Sequence, residues 1–91
     1  MKVVWSPQAL DDRDAIWAFI AADDPRAAIR VDVDLADAIR RLGGHPELGR
    51  SGLIPGTREL FPIHSYRIVY EVVGEEVHIL AIVHTSRLWP R

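Results

Sequence analysis

The sequence predicts an α+β fold of order β-α-α-β-β-β, an antiparallel helical hairpin packed on one face of a mainly antiparallel four-stranded sheet. Three observations predict it. Two helix-start signals, Ser6-Pro7 and Asp24-Pro25, fall close together in the first half. A stretch rich in glycine and proline, residues 43–56, follows the second helical pattern. After it come runs with the two-residue period of strands, broken by Gly74-Glu75.

Met1 to Trp5, rich in Val and Trp, reads as a short strand that stops where Ser6 supplies an N-cap and Pro7 a first helical position. The first helix runs from Pro7 to about Ala22, with Ala9, Leu10, Ile16, Trp17 and Ile20 on one broad apolar face. Asp11, Asp12 and Asp14 stand in its first turns, where the helix dipole favours negative charge. The second helix starts at Asp24-Pro25, and Ala28, Val31, Leu35, Ala38 and Leu42 recur at steps of three and four. Gly43-Gly44 is expected to end it in the left-handed conformation open to glycine. Two helices so closely joined should form an antiparallel hairpin whose apolar faces need a sheet to cover.

Residues 43–56 hold five glycines and two prolines and read as a loop. Strands follow at Thr57–Phe61, at Ser65–Val72 and at Val77–His84. In the middle one Tyr66, Ile68, Tyr70 and Val72 alternate, so Arg67 faces away from the helices. In the last, strict alternation sets Val77, Ile79, Ala81 and Val83 against His78, Leu80, Ile82 and His84; apolar residues on both faces mark a central strand. With helices on one side only, the other face of the sheet is expected to be partly open, a natural place for a ligand or a peptide. Trp5 and Trp17 are read as core, Trp89 as packing, and Tyr66 and Tyr70 as core on the helix side.

Ninety-one residues leave room for one compact domain, 1–91, and 48% hydrophobic with 26% charged residues is a folding composition. The absence of cysteine excludes disulfides, thiolate chemistry and Cys-based zinc sites, and no metal cluster, glycine-rich phosphate loop or Ser-His-Asp arrangement is legible. Neither a metal nor a cofactor is expected. With no leader-like N-terminus and no apolar run near the ~18 residues of a membrane span, a cytoplasmic chain without membrane contact is expected. Net charge is −2, but the halves differ: residues 50–91 carry four acids against five bases, all arginine. Arginine's planar fork suits phosphate and carboxylate, so an anionic ligand is sought there, although the small negative charge argues against nonspecific nucleic-acid binding.

Six segments in order, Trp5-Ser6-Pro7-Gln8-Ala9-Leu10-Asp11-Asp12, Pro25-Arg26-Ala27-Ala28, His45-Pro46-Glu47-Leu48-Gly49-Arg50, Gly56-Thr57-Arg58-Glu59-Leu60, Tyr66-Arg67-Ile68-Val69-Tyr70 and His84-Thr85-Ser86-Arg87-Leu88-Trp89-Pro90, resemble the RelE/ParE superfamily of bacterial toxins. The resemblance spans nearly the whole chain and implies the β-α-α-β-β-β fold. It also implies a type II toxin–antitoxin toxin neutralised by a cognate antitoxin that wraps around it. RelE-like members cut messenger RNA on the ribosome, and this is the activity expected of the chain; ParE-like members poison DNA gyrase, which is the alternative. A non-catalytic antitoxin-binding module is the third possibility.

Metal-independent RNA cleavage needs a base for the ribose 2′-hydroxyl, a cation for the phosphorus-centred charge and an acid for the leaving oxygen. On this reading Arg58 and Arg67 clamp the phosphate, His84 transfers the proton and Arg87 assists. The products are a 2′,3′-cyclic phosphate and a 5′-hydroxyl. His45, His64 and His78 are assigned to solvent or structure. Two features depart from the ribosome-dependent nucleases: Lys2 is the one lysine, and no tyrosine stands at the C-terminal end, Arg91.

Overall fold

A computed structural model describes residues 1–90, apart from the side chains at 61–63; Arg91 lies outside the described residues. The elements follow as β1 (Lys2–Trp5), α1 (Pro7–Ala21), α2 (Pro25–Leu42), β2 (Arg50–Ser51), β3 (Thr57–Ile63), β4 (Tyr66–Val73) and β5 (Glu76–His84). The helices begin where the sequence predicts. Ser6 Oγ accepts from the Ala9 amide at 3.0 Å and Asp24 Oδ1 from the Ala27 amide at 3.1 Å, each satisfying one unpaired donor of a first turn.

The sheet has five strands in the order β1-β5-β4-β3-β2, not four. The extra strand is the two-residue β2, which the predicted loop contributes by pairing Arg50 with Glu59 and Ser51 with Arg58. β1 runs parallel to β5, the helical hairpin carries the chain from β1 to β2 at the other edge, and the other neighbours are antiparallel.

Between the sheet and the hairpin lies the main core, where Leu35, Ile39 and Leu42 of α2 meet Ile68 and Tyr70 of β4 and Val77, Ile79 and Ile82 of β5. Burial of such side chains, about 1.5–3 kcal/mol each, holds the layers together. Tyr70 lies in this core and Tyr66 packs against it, on the helix side as their alternation predicts.

Three expectations need correction. Trp17 is 41% exposed. Helix α1 carries apolar residues around much of its circumference, and once Ala9, Ile16 and Ile20 meet the core, Trp17 and Leu10 are left on the outer surface. Trp5 is half-buried against the core, with the Arg13 guanidinium 5.2 Å from its ring centre. Gly43 closes α2 with right-handed dihedrals, φ −63° and ψ −33°. Crowding is what requires glycine there, because a Cβ would lie 2.8 Å from the Met1 carbonyl oxygen.

The third correction concerns β5. Val69 pairs with Ala81 but Tyr70 with Ile79, so Leu80 is an extra residue, a β-bulge, and the alternation reverses across it. Val77 and Ile79 join Ile82 on the helix side, while Ala81 and Val83 join Val69 on the opposite face. Two side chains secure the bulge: Ser6 Oγ donates to the Leu80 carbonyl at 3.0 Å, and the Ile82 amide donates to Asp12 Oδ2 at 2.9 Å. Asp12, which the sequence places among the acids near the start of the helix, is only 8% exposed.

Candidate functional site

The bulge decides where the candidate residues go. His84 pairs with Tyr66, and their rings meet edge to face, 5.5 Å between centres at 85°, on the helix side of the sheet. Arg67 projects from the other face, as its alternation predicts. The two residues assigned to proton transfer and phosphate binding are therefore separated by the sheet.

The opposite face is covered around Val69, Ala81 and Val83, while Val73 toward its other end is exposed. The segment after β5 turns back through the Arg87 amide's bond to the His84 carbonyl (2.9 Å), and Trp89 packs on Val69, Ala81 and Val83. Arg67, 7% exposed, holds this return: one terminal nitrogen donates to the Arg87 carbonyl at 2.7 Å and the other approaches the Thr85 carbonyl at 3.4 Å. Its Nε lies 3.0 Å from Glu59 Oε1, off the axis of a directed hydrogen bond, so charge attraction joins the pair. Glu59 is 8% exposed, and its other oxygen receives the Leu53 amide at 3.4 Å. One buried ion pair thus ties the segment 52–56 to the C-terminal return.

Arg58 stands elsewhere again. It donates to the Gly49 carbonyl at 2.7 Å and reaches the Glu47 carbonyl at 3.5 Å. Beside it the fully buried Tyr70 donates its hydroxyl proton to Pro46 O at 2.6 Å and accepts from the Gly49 amide at 2.7 Å. Burial pushes the Tyr70 phenol above its ordinary range, against the lowering effect of the Gly49 amide. Arg58 and Tyr70 together fasten residues 46–49 to the sheet.

His84 and Arg87 do come together. They line a cleft of about 600 Å³ between α1 and the end of β5, with Asp12, Ala15, Ile16 and Phe19 along one wall. Phe19 is 78% exposed. The lining is mostly apolar, with Asp12, His84, Ser86 and Arg87 as its polar members, the usual make-up of a recognition site. The His84 Nδ1 is engaged by its neighbour Ser86, whose amide donates to it at 3.1 Å and whose hydroxyl lies 2.7 Å away.

Asp12, Phe19, Tyr66 and Ser86 were not singled out as site residues. Asp12, Ala15, Ile16 and Phe19 fall at i, i+3, i+4 and i+7, which puts them on one helix face; that spacing was the available signal. The other histidines face carboxylates, His45 Nδ1 with Glu47 Oε1 at 3.9 Å, His64 Nε2 with Asp34 Oδ2 at 2.6 Å and His78 Nε2 with Glu76 Oε1 at 2.9 Å. Among the described residues no group of three or more His, Cys, Asp or Glu side chains is arranged to hold a metal, and no helix is long and apolar enough to cross a membrane.

Residues 3–89 match the family described as the ParE toxin of the type II toxin–antitoxin system parDE. The chain is 36% identical over 90 residues to the putative toxin Y4kP of Sinorhizobium fredii, covering 99% of this chain and 94% of that one. It is 41% identical over 88 residues to toxin RelE2 of Caulobacter vibrioides, covering 96% and 98%. Among solved structures it is similar to a chain of the chromosomal ParDE system from P. aeruginosa, with a TM-score of 0.83, 26% identity and coverage of 92% and 95%. A YoeB/ParE toxin from Agrobacterium tumefaciens shares the fold at a TM-score of 0.64 and 24% identity, covering 92% and 98%.

Proposed function

This chain belongs to the ParE toxin family, within the RelE/ParE superfamily of type II toxin–antitoxin systems, and from that premise we propose that it arrests growth in the cytoplasm as a ParE-like inhibitor of DNA gyrase, kept silent by a cognate antitoxin. The observation that carries the choice of target is the scatter of the four residues a nuclease would use. Metal-independent RNA cleavage needs its acid, base and cation around one phosphate, within hydrogen-bond reach. Here the sheet stands between Arg67 and His84, Arg67 is buried against Glu59, and Arg58 holds loop carbonyls. A toxin that works by binding a protein needs no such convergence. It needs an apolar surface with aromatic and arginine anchors, and the cleft with Phe19 and Arg87 offers one.

Antitoxin control follows from the family, and the similar structure from P. aeruginosa is described as a ParDE toxin–antitoxin system. Cleavage of ribosome-bound messenger RNA is the second reading, favoured by one observation: His84 and Arg87 share a cleft. The test is to add the purified chain to gyrase with relaxed plasmid and to induce the chain without its antitoxin in cells. The gyrase reading expects supercoiling to fail and DNA-damage signalling to rise while messages stay intact. Translation-dependent cuts mapped by primer extension, with gyrase unaffected, would overturn it in favour of the nuclease.

A further inference from the structure

We propose that Ser86 is a positioning residue that fixes His84 in the Nε2–H tautomer, making His84 a hydrogen-bond donor, beside Arg87, for a carboxylate of the protein that enters the cleft. The inference deepens the proposed function and rests on its assignment of the target to this cleft. It removes His84 from the role of a proton-accepting base.

The tautomer follows from the chemistry of the Ser86 contacts. A backbone amide can only donate, so the 3.1 Å bond from the Ser86 amide requires Nδ1 to present its lone pair. The Ser86 hydroxyl, 2.7 Å from the same nitrogen, can turn its proton toward it and reinforce that state. In the neutral ring the remaining proton then sits on Nε2. The edge-to-face contact with Tyr66 restrains the ring from flipping to exchange its nitrogens.

The surroundings decide what such a donor is for. Of the charged groups lining the cleft, Asp12 is engaged by the Ile82 amide and by Gln8 Nε2 at 2.9 Å, whereas Arg87 is exposed. The Arg87 carbonyl accepts a 2.7 Å bond from Arg67, and Arg87 lines the cleft together with His84. A cation and a fixed N–H donor in a largely apolar cleft complement a carboxylate flanked by apolar side chains. A peptide carrying an acidic residue next to an aliphatic or aromatic one has that chemistry.

Two measurements test this. In the purified chain labelled with ¹⁵N-histidine, the neutral His84 ring should show a pyrrole-type Nε2 and a pyridine-type Nδ1, and Ser86→Ala should reduce that preference about fivefold, the worth of one net hydrogen bond. An Nδ1–H tautomer in the wild-type chain overturns the inference whatever the toxin does to cells. In cells lacking antitoxin, His84→Ala should weaken growth inhibition about ten- to a hundredfold, the range for a hydrogen bond to a charged group. His84→Gln keeps an N–H donor near the Nε2 position and should restore most of it. A Gln variant as inactive as the Ala variant means that proton transfer is needed and overturns the donor role. A fully toxic His84→Ala chain overturns the assignment of the target to the cleft, and the spectrum, which does not depend on a target, tells the two failures apart.

Discussion

Replacing Arg67 with methionine keeps the length and much of the volume of the side chain while removing its charge. It leaves the Glu59 carboxylate, 8% exposed, without the guanidinium 3.0 Å away, and frees the Thr85 and Arg87 carbonyls. Breaking a buried pair from one side costs about 3–5 kcal/mol, because the surviving charge stays desolvated without a partner. Small domains have about 5–15 kcal/mol in total, so Arg67→Met should retain only a marginal fold. Urea denaturation followed by circular dichroism measures the global loss, and fluorescence in a Trp5→Phe, Trp17→Phe background reports the release of Trp89. Removing both charges is different: Glu59→Leu combined with Arg67→Met exchanges the ion pair for an apolar contact and should recover at least about 2 kcal/mol of the single-variant loss. An Arg67→Met chain within about 1 kcal/mol of wild type, or a double variant no more stable than the single one, would refute the reasoning that this pair is a buried, mutually dependent unit.

Asp12→Ala should cost about 1–3 kcal/mol in chemical denaturation, since it strips the buried Ile82 amide of its acceptor, and hydrogen exchange at Ile82 should accelerate more than at its neighbours. The Arg13 hydrogen bonds hold the Asp32 carboxyl below its ordinary range, at 2.7 and 2.9 Å. With the folded value depressed, this pair stabilises the chain above the unfolded value of about 3.9 and loses that contribution as pH falls through the folded value; Asp32→Asn should flatten that part of the acid-stability profile. Tyr70→Phe, which removes both bonds to residues 46–49, should cost about 1–3 kcal/mol and increase proteolysis within that segment. In the wild-type chain the phenol should titrate above free tyrosine, and the stability linked to it, present below about pH 10, should be lost as pH rises through the raised folded value.

Much of this architecture was legible because local signals and packing agree. Asp24-Pro25 and the three-and-four spacing from Ala28 to Leu42 specify α2, and that stripe is what the core buries. Alternation through Tyr66, Ile68 and Tyr70 likewise gives the correct faces of β4. β5 defeats the same rule. It is apolar on both faces, so shifting one residue leaves no polar side chain out of place, and the bulge at Leu80 has no signature in its own strand. Its causes lie some seventy residues away in Ser6 and Asp12. β2 escaped because two residues between glycines carry no period. The site suffered accordingly: Arg67 was assigned to its face correctly, the alternation of β5 left the side of His84 unassigned, and no pattern within residues 57–67 distinguishes an arginine that binds carbonyls from one that meets a ligand.

The arrest of β1 at Trp5 has a further consequence. Beyond its partner Ile79, β5 has no strand beside it on that flank, and an uncovered row of backbone donors and acceptors invites another chain to add itself edge to edge. Here the Ser6 amide and hydroxyl meet the carbonyls of Ile79 and Leu80, the Asp12 carboxylate meets the Ile82 amide, and α1 lies across the gap. On the far side the sheet ends in a strand of only two residues, one of them arginine. Both flanks are thus poor templates for polymerisation. The backbone groups of that edge are spent inside the chain rather than offered to a second copy.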